Sequence, residues 1–258
     1  MNRNRILTIC AHPDDTEFRC GGILLLLARQ GWKVDIATLT SGDCGSMQES
    51  PNAIAVRRAA EAQAAAKRLG GRYHCLGGQD LQVYDNNEMR AAAIALVREV
   101  DPACVVTHYP WDYMPDHDVA SAVARTAVFC ATMPNYVVGP AAYHRPTQEL
   151  VPLYYFGTPM GGSDYFGNPV QQAHFFVDIS SVIEEKAELL ACHASQREWL
   201  REQHGMDQYL EAMRAFDARV GAMVGVKYAE VFAMHKGEPY PHPPLLQEAL
   251  AEHVRQGG

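Results

Sequence analysis

The chain has 258 residues, 48% of them hydrophobic and 20% charged, and a net charge of -8. That size suits one large domain with a core that needs no staples. The acidic balance argues against nucleic acid as a generic partner, because phosphate binding needs a basic footprint; a local basic pocket for one anionic substrate stays open.

RILTICA, residues 5–11, is a continuous apolar run, as expected of a strand covered on both faces. The spacing then predicts a helix over Phe18–Gln30, stopped by Gly31. KVDIATLTSG reads as a second strand ending in a glycine loop, and Ala53–Leu69 as an alanine-rich helix closed by Gly70 and Gly71. RYHCLG is a short third strand, Glu88–Val100 a helix closed by Asp101-Pro102, ACVVTH a fourth strand, and Val119–Thr132 a fourth helix. Residues 133–174 are rich in Gly, Pro and Tyr and read as active-site loops around a strand-like VPLYYFG. HFFVDIS is a further strand, followed by helices over Val182–Glu202 and Tyr209–Gly221. The tail, about 237–258, reads as a surface arm ending in a short helix. The whole, residues 1–258, is expected to form one domain.

Alternating strands and helices imply a mostly parallel sheet with right-handed crossovers, an α/β fold. Ligands in such sheets bind beyond the carboxyl ends of the strands. Three polar segments converge there: His12 to Asp15, Ser41 to Gly45, and His108 to His117. The seven cysteines form no CxxC pair and mostly sit in apolar stretches, which suits reduced thiols in a cytoplasmic protein. The N-terminal apolar stretch is too short for a signal peptide, and no apolar run approaches the ~18 residues of a membrane span.

AHPDD, residues 11–15, places an imidazole and two carboxylates at the end of the first strand. His12 and Asp15 are three apart on a helix entry, and His117 lies in a second loop-to-helix entry, DYMPDHD. Two imidazoles and a carboxylate leave a position open for water, the ligand set of catalytic zinc. Asp14 then stands where a general base would act. The competing reading of His-Pro-Asp is a plain helix cap. Zn²⁺ is the expected ion, and Fe²⁺ accepts the same set. Asp112 and Asp116 are placed to orient the ligand imidazoles. Trp111, Tyr113, Tyr165 and Phe166 lie in loops where they could stack on a sugar ring or simply pack. Cys20-Gly21-Gly22 suits close helix–sheet packing.

AHPDD after the first strand, SGDCG after the second, RRAAEAQAAAKRLGG, and PDHD after the fourth resemble the LmbE/PIG-L family of zinc-dependent N-deacetylases; HASQ at 193–196 and GVKYAEVF at 225–232 resemble its C-terminal marks. The resemblance implies a Rossmann-like three-layer fold and hydrolysis of an acetyl or short acyl amide, on an N-acetylglucosamine-type sugar or sugar conjugate. It carries the metal-ligand role to His12, Asp15 and His117, the base to Asp14, and a substrate-contacting role to Arg58, with Arg57 one register away. Asp43 stands where the family usually has Glu. Many members read HPDH where this chain has Met114-Pro115-Asp116-His117. Methionine neither donates a strong hydrogen bond nor carries a proton at neutral pH, so His108 and His193 are candidate replacements for that catalytic histidine. Other readings stay open: a deacylase of a non-sugar amide, a metal-binding relative with little activity, or an iron oxygenase. A helical His-Asp phosphohydrolase fits the strand-rich first half poorly, and a dinucleotide site lacks GxGxxG after the first strand. The expected partner is a small N-acyl molecule; a homo-oligomer is compatible with the proline-rich tail.

Overall fold

The computed structural model describes residues 4–137, 145–157, 175–197 and 208–256. One eight-stranded sheet runs through it in the order β3-β2-β1-β4-β5-β7-β6-β8. The first five strands are β1 (Arg5–Cys10), β2 (Lys33–Thr40), β3 (Arg72–Gly78), β4 (Cys104–His108) and β5 (Leu153–Phe156), all parallel to their neighbours among these five. Then β7 (Ala229–Met234) pairs antiparallel with both β5 and β6 (Phe175–Asp178), and β8 (Val254–Arg255) closes the edge. The helices are α1 (Asp15–Arg29), α2 (Pro51–Arg68), α3 (Asn87–Val100), α4 (Pro115–Cys130), α5 (Ile183–Leu190), α6 (Gln208–Met223) and α7 (Leu245–Ala249).

Strand periodicity sorts the core into two layers. Ile6, Cys10 and Ile36 face α1, α5 and α7 on one side, while Leu7, Ile9 and Leu39 face α3 and α4 on the other. The sheet order reverses at β1: β2 and β3 leave in one direction, β4 and β5 in the other. That switch point opens a crevice beyond the carboxyl ends of β1 and β4, where AHPDD and the 108–117 segment emerge.

The expected elements are present with shifted ends. α1 and α4 begin earlier, at Asp15 and Pro115, because the candidate ligands themselves form the first helical turns. The helix expected over 182–202 stops at Leu190, and a turn at residues 191–193 carries His193 inward; residues 198–202 lie outside the described ones. GVKYAEVF contains β7, a strand its pattern did not announce. The tail is not a surface arm: Leu246 and Leu250 are buried in the core, and β8 pairs with β6. No helix among the described residues is long and apolar enough to cross a membrane.

Helix α1 is kinked at Cys20 (φ -141°, ψ 16°), which frees the N–H groups that follow. Glu230 on β7 accepts them, from Gly22 at 2.7 Å and Ile23 at 2.9 Å. A Cβ on Gly22 would stand 2.6 Å from Ile179, so the glycine permits this approach, as its packing role anticipated. Lys186 balances the buried charge, 2.7 Å from Glu230 and 2.7 Å from Asp217. Replacing Lys186 by Met strands two buried carboxylates and should cost about 3–5 kcal/mol, read from urea unfolding at pH 7; a loss under about 1 kcal/mol would mean the network is not a structural anchor.

Candidate metal centre and active site

Asp14 bridges β1 and α1 with φ 108°, a left-handed conformation costing a non-glycine residue about 1–3 kcal/mol. Its side chain makes no helix-capping hydrogen bond, so the plain capping reading does not apply. The reversal sends Asp14 and Asp15 to different surroundings.

Asp15 accepts the His12 N–H at 2.7 Å and faces three imidazoles: His12 Nδ1 at 3.4 Å, His108 Nε2 at 3.2 Å and His117 Nε2 at 3.5 Å. One ligand atom from each of His12, Asp15 and His117 lies within 4.8 Å of the others. The remaining ring nitrogens are held from behind, His12 Nε2 by Asp116 at 3.1 Å and His117 Nδ1 by Asp112 at 2.9 Å. That is the carboxylate–histidine arrangement that orients metal ligands. Asp116 is itself fixed by the Leu81 N–H at 2.7 Å, and Asp112 donates its N–H to Asp118 at 2.8 Å.

The electrostatics fit a cation. Burial opposes charge on His12, but Asp116 and Asp15 outweigh it and hold the ring at about 10. Burial likewise opposes charge on His117, and Asp15 and Asp112 raise it to about 9. Despite burial, His117 and His108 hold Asp15 well below the usual carboxylate range. His108 moves the other way, down to about 4, through burial reinforced by His117, whose ring stacks on it at 4.0 Å. His108 Nε2 lies between the Ala11 N–H at 3.1 Å and Asp15 at 3.2 Å. The carboxylates therefore demand positive charge, which protons on His12 and His117 supply in the chain alone and a divalent ion would supply in their place. The donor set fits such an ion.

A cavity of about 590 Å³ opens over the cluster, lined among others by His12, Asp14, Asp15, Arg58, Tyr113, Met114 and His117. Asp14 faces it between Arg58 Nη2 at 3.3 Å and the Tyr209 hydroxyl, which donates to its other oxygen. Burial raises the Asp14 pKa, Arg58 opposes the rise, and Asp15 adds to it. Arg58 is buried and also donates to Pro13 O at 2.6 Å and Gly42 O at 3.3 Å. Gly42, at φ +77°, leaves no room for a side chain beside that guanidinium.

Two expected catalytic histidines stand away from this space. His108 lies behind the ligand cluster and His193 behind Asp14; both are fully buried, and neither lines the cavity. His193 Nε2 is 3.4 Å from Glu17, whose charge with that of Asp14 raises the imidazole pKa against burial. Asp43 also turns from the cavity, accepting the Asp80 N–H at 2.7 Å and joining the loops after β2 and β3. Arg57 pairs with Glu49 at 2.9 Å instead of facing the site. Trp111 is exposed and meets Tyr109 edge-on, while Tyr165 and Phe166 lie outside the described residues. Tyr209, Arg19 and Asp80 join the cavity wall unannounced by any motif, and Gln196, the last residue of HASQ, lines it too.

Since both rings are protonated near neutrality, their pKa values of about 10 and 9 imply that divalent metal binding at pH 7 releases about two protons. Binding should therefore weaken as pH falls. Calorimetric titration of Zn²⁺ in buffers of different ionisation enthalpy measures the number; release near zero would contradict the charge assignment.

Residues 7–128 match the profile of the PIG-L family, described as GlcNAc-PI de-N-acetylase. The chain is 28% identical over 234 residues to a diacetylchitobiose deacetylase of Thermococcus kodakarensis, covering 88% of this chain and 81% of the relative. It is 27% identical over 202 residues to a 4-oxalmesaconate hydratase of Pseudomonas putida, covering 74% and 73%. The fold superposes on the N,N'-diacetylchitobiose deacetylase of Pyrococcus horikoshii with a TM-score of 0.76 at 23% identity, over 95% of this chain and 89% of that one. Over residues 7–128 the chain is thus similar to the PIG-L, or LmbE-like, family.

Proposed function

We propose that the chain is a metal-dependent N-deacylase that removes an acetyl or short acyl group from an amide nitrogen, on an N-acetylglucosamine-type sugar or sugar conjugate. The observation that carries this reading is Asp14: a carboxylate on the cavity wall, clamped by Arg58 and Tyr209, beside a His12–Asp15–His117 cluster. The matched deacetylase of Thermococcus kodakarensis supports it. Zinc is the proposed ion, because two imidazoles and one carboxylate with an open position are its catalytic set; iron(II) is accepted by the same donors. The proposed setting is cytoplasmic, in keeping with seven free cysteines, four of them buried. We read residues 1–258 as one domain.

His12, Asp15 and His117 would hold the ion, which supplies Lewis acidity toward an amide carbonyl and acidifies water. Asp14 takes a proton from the attacking water and passes it to the departing nitrogen as the C–N bond breaks. A carboxylate and a free amine result. Its raised pKa suits both halves of that transfer. Arg58 and Tyr209 keep the carboxylate aimed at the cavity. Met114 occupies the wall where many relatives of this type carry a histidine, so the developing oxyanion must find another donor. Tyr113 lines the same cavity with its ring edge-on to His117 at 5.4 Å, and we assign it that role.

The hydratase relative favours a second reading, addition of water across a carbon–carbon double bond. The same base would serve, but no amine would be released. Asp14→Asn should retain metal while kcat for acetate release from N-acetylglucosamine or diacetylchitobiose falls about 100- to 10,000-fold. Full activity in D14N, or no amine from any N-acetyl sugar in the metal-loaded wild type, would overturn the assignment.

A further inference from the structure

Arg19 lies four residues past Asp15 on α1, so the two side chains start from one helix face a turn apart. It nevertheless pairs with no carboxylate among the described residues. The guanidinium instead lies against two aromatic rings, 5.0 Å from the Phe216 centroid and 5.6 Å from that of Phe18. Arg19 is 8% exposed, its Nη1 has no hydrogen-bond partner among the described residues, and it lines the same cavity as the metal cluster. Buried arginines elsewhere in the chain are better served. Arg98 donates to the carbonyls of Cys130, Ala131, Met133 and Tyr136, and Arg58 to those of Pro13 and Gly42 as well as to Asp14. Gly157, just past β5, lies beside Arg19: a Cβ there would be in ordinary contact with Nη1, at 3.5 Å.

A buried cation without an acceptor is costly unless a ligand completes it. A guanidinium held against aromatic rings presents a planar fork matched to carboxylate and phosphate oxygens. We infer that Arg19 is an anion subsite: the substrate carries a carboxylate or phosphate that pairs with Arg19 while its acyl amide lies at the His12–Asp15–His117 cluster. The inference rests on the deacylase reading and narrows it. Asp15 and Arg19 are one helical turn apart, about 5–6 Å between Cβ atoms, so the anion lies only a few bonds from the amide. The wall thereby separates two roles: Arg58 serves the base, and Arg19 serves the ligand.

The test compares kcat/KM of the metal-loaded full chain on neutral N-acetylglucosamine with that on N-acetylmuramic acid, N-acetylglucosamine 1-phosphate and N-acetylglucosamine 6-phosphate. The carboxylate and phosphate arms separate the two sources of charge. At least one anionic compound should be preferred tenfold or more. Arg19→Gln should bring the anionic-to-neutral ratio near one, and Arg19→Lys should restore part of it, with thermal melts confirming that both variants fold. A wild-type ratio near one, or a ratio unchanged in R19Q, overturns the subsite while leaving the deacylase reading standing. Calorimetric binding of the product amines, muramic acid and glucosamine 6-phosphate against glucosamine, reads the subsite without turnover. Tighter binding of an anionic amine by tenfold, lost in R19Q, supports it; equal binding overturns it. Absence of acetate release from every compound would defeat the deacylase reading alone.

Discussion

The carboxylate of Asp15 must face three imidazoles at once, and the rest of the site is arranged around that requirement. Only a strand-order reversal brings the ends of β1 and β4 side by side, so that residues nearly a hundred positions apart share one charge cluster. Two further carboxylates, Asp112 and Asp116, fix the outer nitrogens of His117 and His12. The cluster holds more negative charge than its histidines comfortably balance, and it is that imbalance, not any single residue, that makes it a cation site.

Neighbouring aspartates thus acquire opposite characters. Asp15, against His117 and His108, is held ionised well below the usual range, whereas burial pushes Asp14 up despite Arg58 and Tyr209 beside it. Pairs of acids driven apart in this way divide the work of a hydrolytic site: one grips, the other carries protons. The strained backbone of Asp14 is the local cost of pointing two adjacent side chains at different tasks.

Helix α1 links this chemistry to the fold. The segment before its kink carries Asp15 and Arg19, and the kink at Cys20 lets that segment take a direction of its own. The freed N–H groups are satisfied by Glu230, whose charge is answered by Lys186 and shared with Asp217, which burial lifts to about 7. Four elements, α1, α5, α6 and β7, therefore meet in one buried ionic junction behind the active site. α6 then supplies the cavity with both Tyr209 and, through Phe216, the stacking surface for Arg19.

Much of this was legible in the chain itself. The parallel half of the sheet follows from alternating apolar runs and helical segments, and the ligand candidates follow from short spacings, His12 to Asp15 and Asp112 to His117, that covalent geometry confines to one turn or loop. The cysteine-glycine run after them predicts close packing, and Gly22 meets Ile179 and Glu230 as that requires. What spacing does not encode is which distant group docks behind a given side chain. His108 and His193 carry the right chemistry in the right motifs, yet tertiary packing seals both away from the cavity. Tyr209 sits 195 residues from Asp14 and reaches it only because α6 folds back over α1. Arg19 reads as an ordinary helix residue until Phe216 arrives beside it. Local pattern decides which groups can act, since it is set by bonded distances; docking of elements decides which of them meet the ligand, since burial and charge belong to the assembled surroundings and not to the sequence neighbours.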